Sequence, residues 1–118
     1  MIYGYVRKAK KEDLGESLEF QKQELLKFND KVDFIFGEYG SGIDEDRPIL
    51  KKVLEDVTER DTVVVTEVSR LTRSLWHLNR IINLLKSKRV KLQIGNTIMD
   101  LNDKKTNMNY NILLKLSD

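Results

Sequence analysis

The chain has no cysteine, one proline and one histidine in 118 residues. Without cysteine neither a disulfide framework nor a thiolate metal centre can be built, and a reducing compartment suits the chain. A lone histidine, His77, set in a basic stretch cannot complete the nucleophile, base and orienter of a serine-hydrolase triad. No apolar run reaches the roughly 18 to 20 residues that cross a bilayer, and the N-terminus lacks the basic-then-apolar order of a signal peptide. A cytoplasmic protein with no membrane partner is expected. Neither a Walker A tail nor a dinucleotide fingerprint follows the first strand-like run. The one dense acidic cluster, Asp44, Glu45 and Asp46, is contiguous, so its carboxylates diverge on any regular backbone. Neither a metal nor another cofactor is expected. Acid is also missing locally: from Ser69 to Met99 there are seven Lys or Arg and no Asp or Glu. Residues 1–68 hold eleven basic and sixteen acidic side chains, residues 69–118 ten and three. Such asymmetry points to a polyanion such as nucleic acid, with a solvated basic helix face as the plainer alternative.

What is present is an alternation of strand and helix patterns. Residues 2–7, 32–36, 62–68 and 90–94 are short and rich in β-branched or aromatic side chains, and a short edge strand fits 97–100. A helix fits 17–29, with Leu18, Leu25 and Phe28 inward. Ile49, Leu50, Val53, Leu54 and Val57 form a second stripe, with Asp46 as N-cap and Pro48 in the first turn. Leu75, Leu78, Ile82 and Leu85 form a third, widened by Trp76, Ile81 and Leu84, which places Trp76 in the core rather than stacked on a base. A last helix fits from about Asn107, through Met108, Ile112, Leu113 and Leu116. With 40% hydrophobic residues the chain can bury one core, so a single α/β domain over 1–118 is expected. Its sheet should be mostly parallel, of four or five strands, with helices on both faces.

Ligands of such sheets bind beyond the carboxyl ends of the strands. That selects the loops Arg7–Gly15, Gly37–Asp46 and Ser69–Arg73, which bring Arg7, Arg47, Arg70 and Arg73 to one edge. Guanidinium groups recognise phosphate oxygens bidentately. If a helix starts at Leu71 or Thr72, Arg70 and Arg73 lean over its first turn. The alternative pairs these arginines with Asp44–Asp46 as surface salt bridges.

Four stretches, GYVRKA at 4–9, SLEFQKQEL at 17–25, GSGIDEDRP at 40–48 and EVSRLTRSL at 67–75, together resemble the catalytic domain of the serine recombinases, the resolvase and invertase family. The YVRK form is similar to the opening of the large serine integrases. The resemblance implies a resolvase-like three-layer fold and a reaction in which a first-loop serine attacks a DNA phosphate to give a 5′-phosphoserine, without metal or nucleotide cofactor. It implies double-stranded DNA as partner and assembly as dimer or tetramer. Arg7, Arg47, Arg70 and Arg73 fall on the phosphate-binding arginines, with Tyr5, Gln21, Glu38, Ser41 and Ser69 around them. The nucleophile falls on Ala9, which has no oxygen, so the chain as written is expected not to form the covalent intermediate. Ser17, Ser41 and Ser74 sit on other elements and are poor substitutes. Measured against the family, the chain is expected to be truncated in its last helix, to lack a DNA-binding domain and to self-associate weakly. Two other readings stand beside this one. One is a degenerate relative that regulates an active recombinase, the other a phosphate-ester hydrolase using Glu38 or Glu67.

Overall fold

The computed structural model describes residues 1–10, 15–44 and 46–102. In chain order the elements are β1 (Ile2–Lys8), α1 (Leu18–Phe28), β2 (Phe34–Tyr39), α2 (Pro48–Asp56), β3 (Thr62–Val65), α3 (Val68–Leu71), α4 (Leu75–Lys88), β4 (Lys91–Ile94) and β5 (Thr97–Met99). The strands form one sheet in the order β2-β1-β3-β4-β5, parallel except for β5, which returns antiparallel on β4. The α/β class, the mostly parallel sheet and the short edge strand agree with the sequence reading.

Period-two alternation divides β1 between two faces. Tyr5 joins the larger core with Leu50, Val53, Leu78, Ile81 and Leu85 of α2 and α4. Val6 packs instead with Leu25 of α1 and Val64 of β3. Gly4 lets α1 sit close on that face: a Cβ there would lie 3.0 Å from Leu25 Cδ2. Helices thus cover both sides of the sheet, and β3 is buried over its whole apolar run Val63–Val65. Serines cap two helices, Ser17 Oγ accepting from Phe20 N at 3.0 Å and Ser74 Oγ from His77 N at 3.3 Å.

Several expected boundaries move. The second strand begins at Phe34 and runs on through Gly37 and Glu38, because β1 and β2 stay paired as far as Lys8 with Tyr39. The third strand stops at Val65, and Val68 starts α3 instead of ending a strand. Asp46 does not cap α2. Arg47 holds the cap position without a side-chain cap bond, and the carboxylate of Glu38 reaches over from β2 to accept from Ile49 N at 3.1 Å and Leu50 N at 2.8 Å. Trp76 is 77% exposed and Leu75 47%, so neither belongs to the core. The buried stripe of α4 is His77, Leu78, Ile81, Ile82 and Leu85, and the first two residues of the helix lie outside it. The helix expected from Asn107 lies outside the described residues.

Candidate active site

At the carboxyl ends of β1, β2 and β3, two arginines are built into the protein. Arg47 is 1% exposed. Its Nε donates to Asp44 O at 2.9 Å, its Nη1 to Tyr5 Oη at 3.2 Å and to Arg70 O at 3.3 Å, and its Nη2 to Leu71 O. The guanidinium also stands 6.0 Å from the Tyr5 ring centroid. Arg7 is 4% exposed and donates to Arg70 O at 3.2 Å, Gly40 O at 2.9 Å and Ser69 O at 2.6 Å. The turn after β2 and the α3 segment are thereby laced to β1 by carbonyl bonds that only guanidinium forks could make from so few residues.

The supporting residues split. Gln21, fully buried on α1, accepts from Arg7 N at 3.1 Å and donates to Arg7 O at 2.9 Å and Glu16 O at 3.1 Å, which fixes the end of β1. Tyr5 Oη donates to Glu38 Oε2 at 2.6 Å. Burial and that hydrogen bond push the Tyr5 phenol far up, so it serves as a neutral donor. Ser69 contributes its carbonyl to Arg7. Ser41 is exposed, its Oγ accepts from Ile43 N at 3.3 Å, and it is not among the described residues that line the cleft described next.

Above this floor opens a cleft of about 370 Å³ lined by Arg7, Lys8, Ala9, Gly15, Glu16, Arg70 and Arg73. Ala9 is exposed at its wall. Arg70 Nη1 donates to Arg7 O at 3.3 Å, its Nη2 pairs with Glu16 at 3.0 Å, and its Nε stands 3.3 Å from Glu67 Oε1. Arg73 is exposed and its guanidinium has no partner among the described residues. Arg7, Arg70 and Arg73 therefore meet beside Ala9, while Arg47 lies beneath and does not line the cleft. Among the described residues, none of the four arginines pairs with the carboxylates of Asp44 or Asp46. Asp46 pairs with Lys51 at 3.4 Å instead. Crowding has an electrostatic signature: burial first, then the charges of Arg47, Arg70 and Arg73, hold the Arg7 guanidinium down to about 10.

Arg70 and Arg73 do not share the first turn of a helix. Arg70 lies in the last turn of α3, Thr72 is extended at φ −167° and ψ 156°, and Arg73 precedes the cap of α4. Thr72, fully buried, holds this break. Its Oγ1 donates to Gly42 O at 3.1 Å and accepts from Ser74 N at 3.0 Å, and His77 Nδ1 lies 3.2 Å away. Because the single hydroxyl proton goes to Gly42 O, His77 donates from Nδ1–H. Arg73 N also donates to Gly42 O at 2.8 Å. The sequence reading missed Thr72 and His77 as site-building residues and Glu16 as a cleft residue. Thr72 between two arginines, just before an N-capping serine, was the available signal.

Residues 2–117 match the family described as Resolvase, N terminal domain. The chain belongs to that family. Among curated proteins, this resolvase-type domain is 33% identical over 101 residues to the transposon Tn1546 resolvase of Enterococcus faecium, covering 85% of this chain and 50% of the relative. It is 32% identical over 93 residues to the DNA-invertase of Enterobacteria phage P7, covering 79% of this chain and 47% of the relative. It thus spans about half the length of these relatives. Its fold is similar to that of the C-terminal catalytic domain of ISC1926 TnpA, an IS607-like serine recombinase, with a TM-score of 0.66 and 22% identity over 94% of this chain and 76% of the other. The resemblance carried by the four sequence stretches is borne out at the level of family and fold.

Proposed function

We propose that this chain is the catalytic domain of a site-specific serine DNA recombinase that holds a DNA phosphate but cannot open it. One observation carries the reading: Ala9 and the arginines Arg7, Arg70 and Arg73 line a single cleft at the carboxyl rim of the sheet. A hydroxyl at position 9 would stand among those guanidinium groups, which stabilise the negative charge that builds on the phosphoryl oxygens as its oxygen adds to phosphorus. In that chemistry a bond from the seryl oxygen to phosphorus forms, the bond to the 3′ oxygen breaks, and the hydroxyl proton ends on the leaving 3′ oxygen. Arg7, Arg70 and Arg73 take the phosphate, Arg47, Tyr5, Gln21, Glu38 and Ser69 hold them in place, and no cofactor enters. Ser41 acts through its turn, its Oγ accepting from Ile43 N. Double-stranded DNA is the partner, cytoplasmic the setting, and dimers or tetramers the assembly in which family members act.

Incubating the native chain and its Ala9→Ser variant with nicked duplexes, followed by denaturing electrophoresis, tests this. A protein–DNA adduct is expected with the variant alone. Turnover of small phosphate esters by the native chain would replace this reading with a hydrolase. Ala9 itself favours a second reading, a non-catalytic relative that regulates an active recombinase. An adduct with neither protein, together with co-purification of such a recombinase, would select it.

A further inference from the structure

We propose that the Ala9 cleft is a receptor for phosphomonoester dianions, such as the terminal phosphate of a broken strand, in preference to the intact phosphodiester. The inference rests on the reading above and names the ligand class that the cleft prefers. Charge is the first observation. Arg7, Lys8, Arg70 and Arg73 line the cleft and Arg47 lies under it, against the carboxylates of Glu16, Glu38 and Glu67 among the described residues. Five cations against three anions leave two positive charges in excess. A phosphodiester supplies one negative charge, and a phosphomonoester above its second pKa of about 6 supplies nearly two.

Donor count is the second. Three of the five N–H groups of Arg7 are held by the carbonyls of Arg70, Gly40 and Ser69, so this guanidinium is fixed in orientation with two N–H groups to spare. Arg73 and Lys8 bring donors with no partner among the described residues. A third unesterified oxygen on phosphorus gives these donors an acceptor that a diester lacks. Side-chain chemistry is the third. The Ala9 methyl asks for no hydrogen bond and fills less space than a hydroxymethyl group, so an oxygen of the ligand can lie where a seryl oxygen would otherwise stand. Non-covalent capture of a broken end follows, with no bond made to the protein.

The source of the dianion, a strand end or a free phosphate ester, is resolved by the choice of probes. Fluorescence anisotropy at low salt compares one duplex with 5′-phosphate, 3′-phosphate or hydroxyl ends, with methyl phosphate and dimethyl phosphate as competitors. At pH 8 the native chain is expected to bind a phosphorylated end about tenfold more tightly than the hydroxyl-ended duplex, about 1.4 kcal/mol. The advantage should shrink below pH 6 as the phosphate takes up its second proton. Competition by methyl phosphate alone at equal strength would assign the site to free esters, and competition only by duplex ends to DNA; either supports the dianion preference. Arg73→Gln, at an exposed position, should remove most of the preference, and Ala9→Ser should reduce it. Equal affinity for all ends at pH 8, a preference that persists at pH 5, or one that survives Arg73→Gln would overturn the proposal. Intact duplex binding that depends on Arg73 but shows no end preference would sink this inference alone, whereas duplex binding indifferent to Arg73 would sink the recombinase reading with it.

Discussion

Arg47 and Arg73 are the same residue type at the same rim, and they do opposite work. Arg47 is buried, every nitrogen tied to carbonyls or to Tyr5, and serves as a structural cross-link between the second and third loops. Arg73 is exposed and unpartnered among the described residues, and is free to meet a ligand. Arg7 lies between these extremes, fixed by three carbonyls yet open to the cleft. What separates floor from rim is how much of the hydrogen-bonding capacity the fold itself has consumed.

The sharpest way to break the comparison is to remove the floor. Arg47→Met leaves the carbonyls of Asp44, Arg70 and Leu71 and the Tyr5 hydroxyl to find other partners in a buried setting, and should lower the unfolding free energy by about 3 to 5 kcal/mol in a urea titration. Gly42→Ala should come next. A Cβ there would stand 2.9 Å from Arg73 Cγ and 3.0 Å from Arg7 Nη2, so floor and rim must both shift, at about 1 to 3 kcal/mol. Thr72→Val keeps the shape but strands Ser74 N and His77 Nδ1 and leaves Gly42 O with Arg73 N alone, and about 1 to 3 kcal/mol is expected from the same titration. Smaller still is a pH effect. Burial, then the charge of Arg47, holds the His77 imidazole below its ordinary 6.5. The neutral ring contributes stability above pH 6.5 that is lost as the pH falls through the lowered folded value, because the unfolded chain takes the proton first. Denaturation series from pH 8 to 5 should show that loss, and His77→Asn, which offers an amide N–H in place of Nδ1–H, should flatten it. Last, Arg73→Gln should leave stability within about 0.5 kcal/mol while reducing the slope of log affinity against log salt for duplex DNA by about one.

This ranking also shows where sequence reasoning reached and where it stopped. Strand and helix alternation plus the rule that ligands sit beyond strand carboxyl ends brought Arg7, Arg47, Arg70 and Arg73 to one edge, since that step needs only connectivity. Assigning floor and rim needs carbonyl positions, which depend on how three loops fold against one another. Glu38 was read as a loop residue because Gly37 looks like a strand breaker. In the fold Gly37 is a close-packing position, where a Cβ would sit 2.9 Å from Val6 Cγ2, and the strand continues through it. The four residues of α3 are too few to show a helical period, so Arg70 and Arg73 were placed on one turn. Trp76 fits the apolar spacing of α4, but spacing cannot tell which apolar positions of the first turn find a partner, and Trp76 is left exposed.

The break between α3 and α4, extended at both Thr72 and Ser74, has a mechanical consequence. A residue in strand geometry advances the chain by about 3.3 Å where a helical one advances it by about 1.5 Å. Had α3 run unbroken into α4, the result would be one stiff rod, and the reach and aim of its two guanidinium arms could not be adjusted separately. The kink instead makes two short levers joined at a bolted pivot, so a change in the grip of Gly42 on that pivot would swing one arm against the other without unwinding either lever.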